Sequence, residues 1–151
     1  MLDNSSSYPI TRLIIDINVL LNGIGNNDTS INRRLYNAFL RAEIRLVFSE
    51  EWLLEFERVL DYPVMIRLGI SRGTAARTMR ELLLLGEFVS PLPQLDWDSL
   101  RDKKDWHLLD LLFFATPDAL ITQDKKVLTA GDALKLPVIH PRNLLKLGFL
   151  S

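Results

Sequence analysis

The chain contains no cysteine, which excludes disulfides, thiol catalysis and thiolate zinc sites together. Its two histidines, His107 and His140, stand apart, and each is more simply a solvated or core-edge side chain than a ligand or a base. No apolar run approaches the roughly 20 residues of a membrane span. No glycine-rich loop of the phosphate-cradling kind is present, and Gly23 and Gly25 alone do not make one. Charge of either sign is nearly balanced: the formal net charge is −1, so there is no broad cationic coat, and any nucleic-acid contact has to rest on a local basic patch.

What remains is an ordinary globular composition, 48% hydrophobic and 25% charged over 151 residues, enough for one domain with a sizeable core. Residues 1–10 lack the apolar stretch of a secretory signal and read as a short flexible leader, with residues 11–151 as a single domain. A cytoplasmic location with no membrane association is expected. Arg12-Leu13-Ile14-Ile15-Asp16 and Leu46-Val47-Phe48 are too short for helices and read as strands buried on both faces. Residues 119–122 and 137–139 read as two more strands, and Phe88-Val89 as a weaker one. Between them, helices are expected after a cap at Asp28, Thr29 or Ser30, carrying Leu35, Ala38, Phe39 and Ala42, and over residues 50–60, 64–68, 74–85 and 105–115, with a short one around Leu144. Residues 22–28 carry a dense loop signal. Strands alternating with helices predict an α/β fold, a three-layer α/β/α sandwich on a mostly parallel sheet. Ligands in such folds bind at the carboxyl ends of the strands.

Four acids fall at such places: Asp16 after the first strand, Glu55 in the helix led by Ser49, Asp105 at the start of an apolar helix, and Asp124 after the strand ending Ile121-Thr122. Each has a plain alternative. Asp16 and Asp124 suit turns, Glu55 can pair with Arg58 one turn on, and Asp105 can cap its helix. Asp16 and Asn18, however, are set in an apolar stretch where an unpartnered carboxylate and amide are costly. Glu55 lies at the margin of the apolar arc of Trp52, Leu53, Phe56, Val59 and Leu60, whereas Glu51 falls further toward solvent. Asp105 lines up with Leu108, Leu109 and Leu112, while Asp110 points roughly opposite. Carboxylates gathered at one sheet edge cannot all stay ionised without a divalent cation, and hard cations favour oxygen ligands. The pattern is that of a Mg²⁺- or Mn²⁺-dependent phosphodiesterase.

Taken together, these stretches resemble the PIN-domain family of ribonucleases, over about residues 13–147. Leu13-Ile14-Ile15-Asp16-Ile17-Asn18-Val19-Leu20 resembles the family's strand-Asp-x-Asn-Val opening. Residues 49–60 resemble its Ser/Thr-led helix with an inward Glu, and residues 102–124 its acid-led helix followed by strand-Thr-x-Asp. The resemblance implies a metal-dependent (endo)ribonuclease acting on RNA. Asp16, Glu55, Asp105 and Asp124 would be the catalytic acids, and Asn18, Ser49 and Thr122 their supports. Asp16, Asp105 and Asp124 would be metal ligands, with Glu55 holding metal or orienting the nucleophile. Ile17, Gln123 and the bulky Trp106 depart from the family's usual residues, and a non-catalytic PIN-like module that binds RNA or a protein is the alternative. An acidic pocket repels phosphate, so cations at its rim are needed to hold substrate. Lys103, Lys104, Lys125 and Lys126 are the candidates, with Arg12 and Arg142 behind them.

One apolar feature exceeds what a single packed face needs. Leu82, Leu83, Leu84 and Leu85 cover every side of their helix, and Leu54 lies on the outer side of the Glu55 helix. The helix is either wholly buried or presents a surface for a homodimer or a small protein partner. The size of the chain resembles the PIN-type toxins, which implies an antitoxin as that partner.

Overall fold

A computed structural model of the chain describes residues 11–25, 30–60 and 63–144. The proposed leader, the caps Asp28 and Thr29, and the last part of the resemblance up to Leu147 lie outside the described residues. Five strands form one parallel sheet in the order β3-β2-β1-β4-β5, where β1 is Thr11–Ile15, β2 Ile44–Phe48, β3 Glu87–Phe88, β4 Ala119–Ile121 and β5 Val138–Ile139. Leu13, Ile14 and Ile15 are wholly buried, as are Leu46, Val47 and all three residues of β4. Strands covered on both faces explain why the sequence shows continuous apolar runs rather than alternation. The fold is therefore the expected α/β sandwich. Among the described residues no helix is long and apolar enough to cross a membrane.

Among the described residues seven helices connect and cover the strands: α1 Ile17–Gly25, α2 Ile31–Leu40, α3 Glu50–Val59, α4 Pro63–Arg67, α5 Arg72–Leu85, α6 Trp106–Ala115 and α7 Lys125–Leu134. Local chemistry sets their ends. The hydroxyls of Ser30, Ser49 and Ser71 accept from backbone N–H groups three residues on, satisfying donors that no helical carbonyl can reach. Helix α2 stops before Ala42, which takes a left-handed φ of 58° while the Glu43 N–H donates back to the Ala38 carbonyl. Ala42 thus closes the helix instead of extending its apolar face.

Two helices go beyond what the sequence suggests. Residues 22–25, read as loop, complete α1, and residues 125–134, to which the sequence assigns no element, form α7. In both, glycine serves close packing. A Cβ on Gly23 would lie 2.5 Å from the Asn32 carbonyl oxygen, and one on Gly131 would lie 2.4 Å from Val138 Cγ2. The backbone of α1 therefore approaches α2, and that of α7 approaches β5, more closely than any side chain permits.

The leucine row of α5 divides. Leu82 is fully buried, but Leu83 and Leu84 are 60% and 81% exposed, and Leu85 and Phe88 also face outward. The wholly buried alternative for this helix is thereby excluded. Leu54 is likewise exposed.

Candidate active site

Strands β1, β2 and β3 step outward in one direction, and β4 and β5 in the other, so the strand order reverses between β1 and β4. At such a reversal the following loops diverge and leave a crevice at the carboxyl ends of the strands. Asp16 follows β1 directly. Its N–H donates to the Ile121 carbonyl at 2.8 Å, which holds it beside the end of β4. Thr122, fully buried, donates its hydroxyl to Asp16 Oδ2 at 2.7 Å and accepts the Asp124 N–H at 3.1 Å. One hydroxyl thus fixes the positions of both strand-end acids.

A cavity of about 460 Å³ opens over this point, lined by Asp16, Asn18, Glu55, Asp102, Asp105 and Asp124 among others. The four acids nominated from the sequence, which span more than a hundred positions, therefore share one cleft. Asp124 also caps α7, its Oδ1 accepting the Lys126 N–H at 2.9 Å. Glu55 keeps the neighbour expected of a surface residue, with Oε2 2.7 Å from Arg58 Nη1, while still lining the cleft. Asp105 occupies the N-cap position of α6 yet makes no cap bond with its side chain. Capping falls instead to Asp102, which accepts the Lys104 N–H at 3.3 Å and begins the 3₁₀ turn Lys103–Asp105. The carboxylate of Asp105 is thereby left to the cleft.

Ser49 is fully buried and does not line the cleft. Its part is to start α3 through the Trp52 N–H, and the Trp52 indole N–H then donates to the Ile15 carbonyl at 2.9 Å. That bond ties α3, and so Glu55, to the residue before Asp16. No local signal in the sequence points to it.

Crowding shows in the ionisation of the acids. Burial raises the pKa of Asp16, the Asp124 charge adds to this, and the Thr122 hydroxyl and the Ile17 N–H oppose it. Asp105 is pushed up to about 6, first by burial and then by the charges of Asp16, Asp102 and Asp124. Ionised Asp105 is thus less favourable folded than unfolded. Its contribution to stability is complete below its ordinary value near 3.8 and is lost as pH rises through about 6. With divalent cations removed by chelator, the wild-type melting temperature should fall relative to Asp105→Asn between pH 4 and 6. The expected size is about 1 kcal/mol after discounting for solvent screening, or about 2–4 °C at this chain length. Parallel melting curves for the two proteins across that range check it.

The lysines divide. Lys104 and Lys126 line the cleft, Lys103 lines an adjoining cavity, and Lys125 lines neither. Arg12 is committed elsewhere: its guanidinium grips both carboxylate oxygens of Glu87 at 2.9 and 2.6 Å and donates to the carbonyls of Ala115 and Thr116. Two groups assigned to the periphery turn inward. Asp110 is buried, accepting the Leu95 N–H at 3.0 Å and the Trp97 indole N–H at 2.9 Å, and so ties the proline-rich connection between β3 and α6, which carries Pro91 and Pro93, to α6. An aspartate inside the run Leu108-Leu109-Asp110-Leu111-Leu112 was the available signal, since a charge at that position needs partners. His107 lines the cleft, and burial lowers its pKa against the opposing charges of Glu55, Glu51 and Asp16.

The PIN domain model of protein families matches residues 12–126, from the first strand to just beyond Asp124. The chain belongs to the PIN domain family. PIN domains are generally nucleases, and a nuclease is the coarse activity that membership carries. The search of curated proteins returned no match for the chain. In this PIN domain, among the described residues, no three acidic or imidazole side chains stand close enough together to enclose a metal ion. The donor set nonetheless suits one. It offers carboxylate oxygens, and the charges of Asp16, Asp102 and Asp124 add to burial in raising the pKa of Asp105, a repulsion that a divalent cation would relieve.

Proposed function

We propose that this PIN domain is a Mg²⁺- or Mn²⁺-dependent ribonuclease that hydrolyses RNA phosphodiester bonds in the cytoplasm. The observation that carries the reading is the convergence of Asp16, Glu55, Asp105 and Asp124 on one cleft at the reversal of strand order. Asp16, Asp105 and Asp124 would hold the cation directly or through its water ligands, and the cation would polarise the scissile phosphate and ease deprotonation of the attacking water.

The remaining roles belong to the chain itself. Thr122 fixes Asp16 by donating its hydroxyl, and Trp52 fixes the strand end before it. Asn18 lines the cleft beside Asp16 and can bond a water or a phosphate oxygen there. Glu55, held by Arg58, accepts a proton from the attacking water or orients it. Lys104 and Lys126 supply the positive charge that holds the RNA backbone against an acidic pocket. A second copy of the chain, or a small antitoxin-like protein, would cover the exposed leucines of α5, as in a toxin–antitoxin pair. The ion pair between Glu55 and Arg58 joins the departures at Ile17 and Trp106 in favouring the alternative, a PIN-like module that binds RNA or a protein without cutting.

The test is incubation of the purified protein with end-labelled single-stranded RNA, DNA of the same sequence, and a generic phosphomonoester. RNA fragments that appear with Mn²⁺ and vanish with excess chelator are expected. Intact RNA with all added cations contradicts the reading, and turnover of the monoester alone replaces it with a phosphatase.

A further inference from the structure

A second cavity, of about 290 Å³, adjoins the acidic cleft and shares Lys104 and His107 with it. Its size is near the lower end of ligand pockets, roughly 300–1,000 Å³. The walls differ in kind from those of the cleft. Leu92, Leu95 and Trp106 are apolar or aromatic, and Glu51, Gln94 and Lys103 bring hydrogen-bonding groups. The walls are also anchored. The Trp106 indole N–H donates to the Leu100 carbonyl at 2.7 Å, which sets the orientation of the ring. Asp110, through the Leu95 N–H and the Trp97 indole, holds the proline-rich segment that carries Leu92, Gln94 and Leu95. The Lys103 ammonium lies 5.6 Å from the Trp106 ring centroid and places positive charge at the aromatic wall. His107 Nδ1 is buried without a hydrogen-bond partner, leaving unused capacity in a ring that borders both cavities.

Resting on the ribonuclease reading of the neighbouring cleft, we infer that this cavity is a nucleobase subsite that selects an unpaired guanine beside the scissile phosphate. A flat aromatic ring with apolar neighbours is the surface on which single-stranded bases stack. Lys104, common to both cavities, stands where the connecting phosphate passes from base to cleavage point. The polar groups choose among the bases. A carboxylate has two acceptor oxygens and no donor, and guanine presents two adjacent donors, N1–H and the N2 amino group. Its O6 and N7 accept from ammonium groups, which Lys103 and Lys104 supply. Adenine and cytosine each offer a carboxylate one amino group, and uracil offers it one ring N–H between two repelling carbonyls.

The test measures binding and cutting separately. Guanosine, adenosine, cytidine and uridine, which carry no phosphate, are titrated into the wild-type protein while the Trp106 indole N–H resonance is followed by NMR. Cleavage sites are then mapped on an RNA of mixed sequence. Guanosine should shift that resonance with at least about tenfold tighter binding than the other three, toward the lower end for a bidentate base contact. Cleavage should cluster next to guanines. Glu51→Gln, a substitution of equal size, should bring the four nucleosides to within about threefold of one another, and Trp106→Leu should weaken all of them. Melting curves establish that both variants are folded. Equal response to all four nucleosides, no response at millimolar concentration, or a guanosine preference that survives Glu51→Gln overturns the inference. Guanosine binding without RNA cleavage leaves the subsite standing and removes the ribonuclease reading. Cleavage without base preference, and with no nucleoside binding, does the reverse.

Discussion

Asp16→Asn should lower RNA cleavage by about 10²–10³-fold and leave the protein as stable as the wild type, or more so. The two halves of this outcome have one origin. Burial and the Asp124 charge make ionised Asp16 unfavourable in the fold, so the native state carries a carboxylate it would hold more easily as a neutral group. Asparagine has almost the same shape, and its carbonyl oxygen still accepts the Thr122 hydroxyl. What disappears is the charge that would bind a cation. Electrostatic stabilisation of the transition state by a bound cation amounts to several kcal/mol. Losing three or four of them lowers the rate by about 10²–10³-fold at 1.36 kcal/mol per factor of ten. Single-turnover cleavage and a melting curve on the same preparation check both halves. Wild-type cleavage by Asp16→Asn contradicts the site, and a large fall in melting temperature makes Asp16 a structural residue.

The largest effect on stability should come from Trp52→Ala. Trp52 is fully buried, stacks on Phe56 with centroids 5.5 Å apart, packs on Phe48 at 5.9 Å, and donates its indole N–H to the Ile15 carbonyl. Truncating a buried tryptophan to alanine costs about 3–5 kcal/mol through lost transfer energy and the cavity left behind. Against a typical total stability of about 5–15 kcal/mol, that is a drop of roughly 6–20 °C. Trp52→Phe keeps much of the aromatic packing and removes the indole donor, so it should cost about 1–3 kcal/mol. It should also reduce cleavage by more than its stability loss explains, because the freed Ile15 carbonyl immediately precedes Asp16. Thermal and urea unfolding of the two variants decide this. A melting temperature within about 2 °C of wild type for Trp52→Ala contradicts the packing described.

These two residues differ in how visible they are in the sequence. Asp16 is legible because it ends an apolar run at a strand terminus, and a parallel sheet gives such positions a shared edge. Glu55, Asp105 and Asp124 follow by the same logic, each at the end of a strand or near the start of a helix. The role of Trp52 is hidden. Its ring belongs to the apolar arc of α3, but the carbonyl it reaches is 37 residues away in sequence. The helices α1 and α7 are obscured in the sequence for another reason. Gly23 and Gly131 act as breakers in local propensity, yet in the fold they are points where the backbone must pass within van der Waals reach of Asn32 and Val138. Tertiary contact overrides local preference at both. Asp110 falls between these cases: a charge in a leucine run announces that it has partners, but Leu95 and Trp97 could be named only from the fold.

The central claim, that the cleft of Asp16, Glu55, Asp105 and Asp124 is a divalent-cation site, is tested most directly by measuring Mn²⁺ binding by electron paramagnetic resonance at neutral pH. The signal of free Mn²⁺ is followed as protein is added, for the wild type, Asp16→Asn and Asp105→Asn. Saturable binding by the wild type, competition by Mg²⁺, and loss of at least about tenfold in affinity in each variant are expected. Wild-type protein that leaves the free Mn²⁺ signal unchanged at millimolar concentrations, or variants that bind as the wild type does, would contradict it.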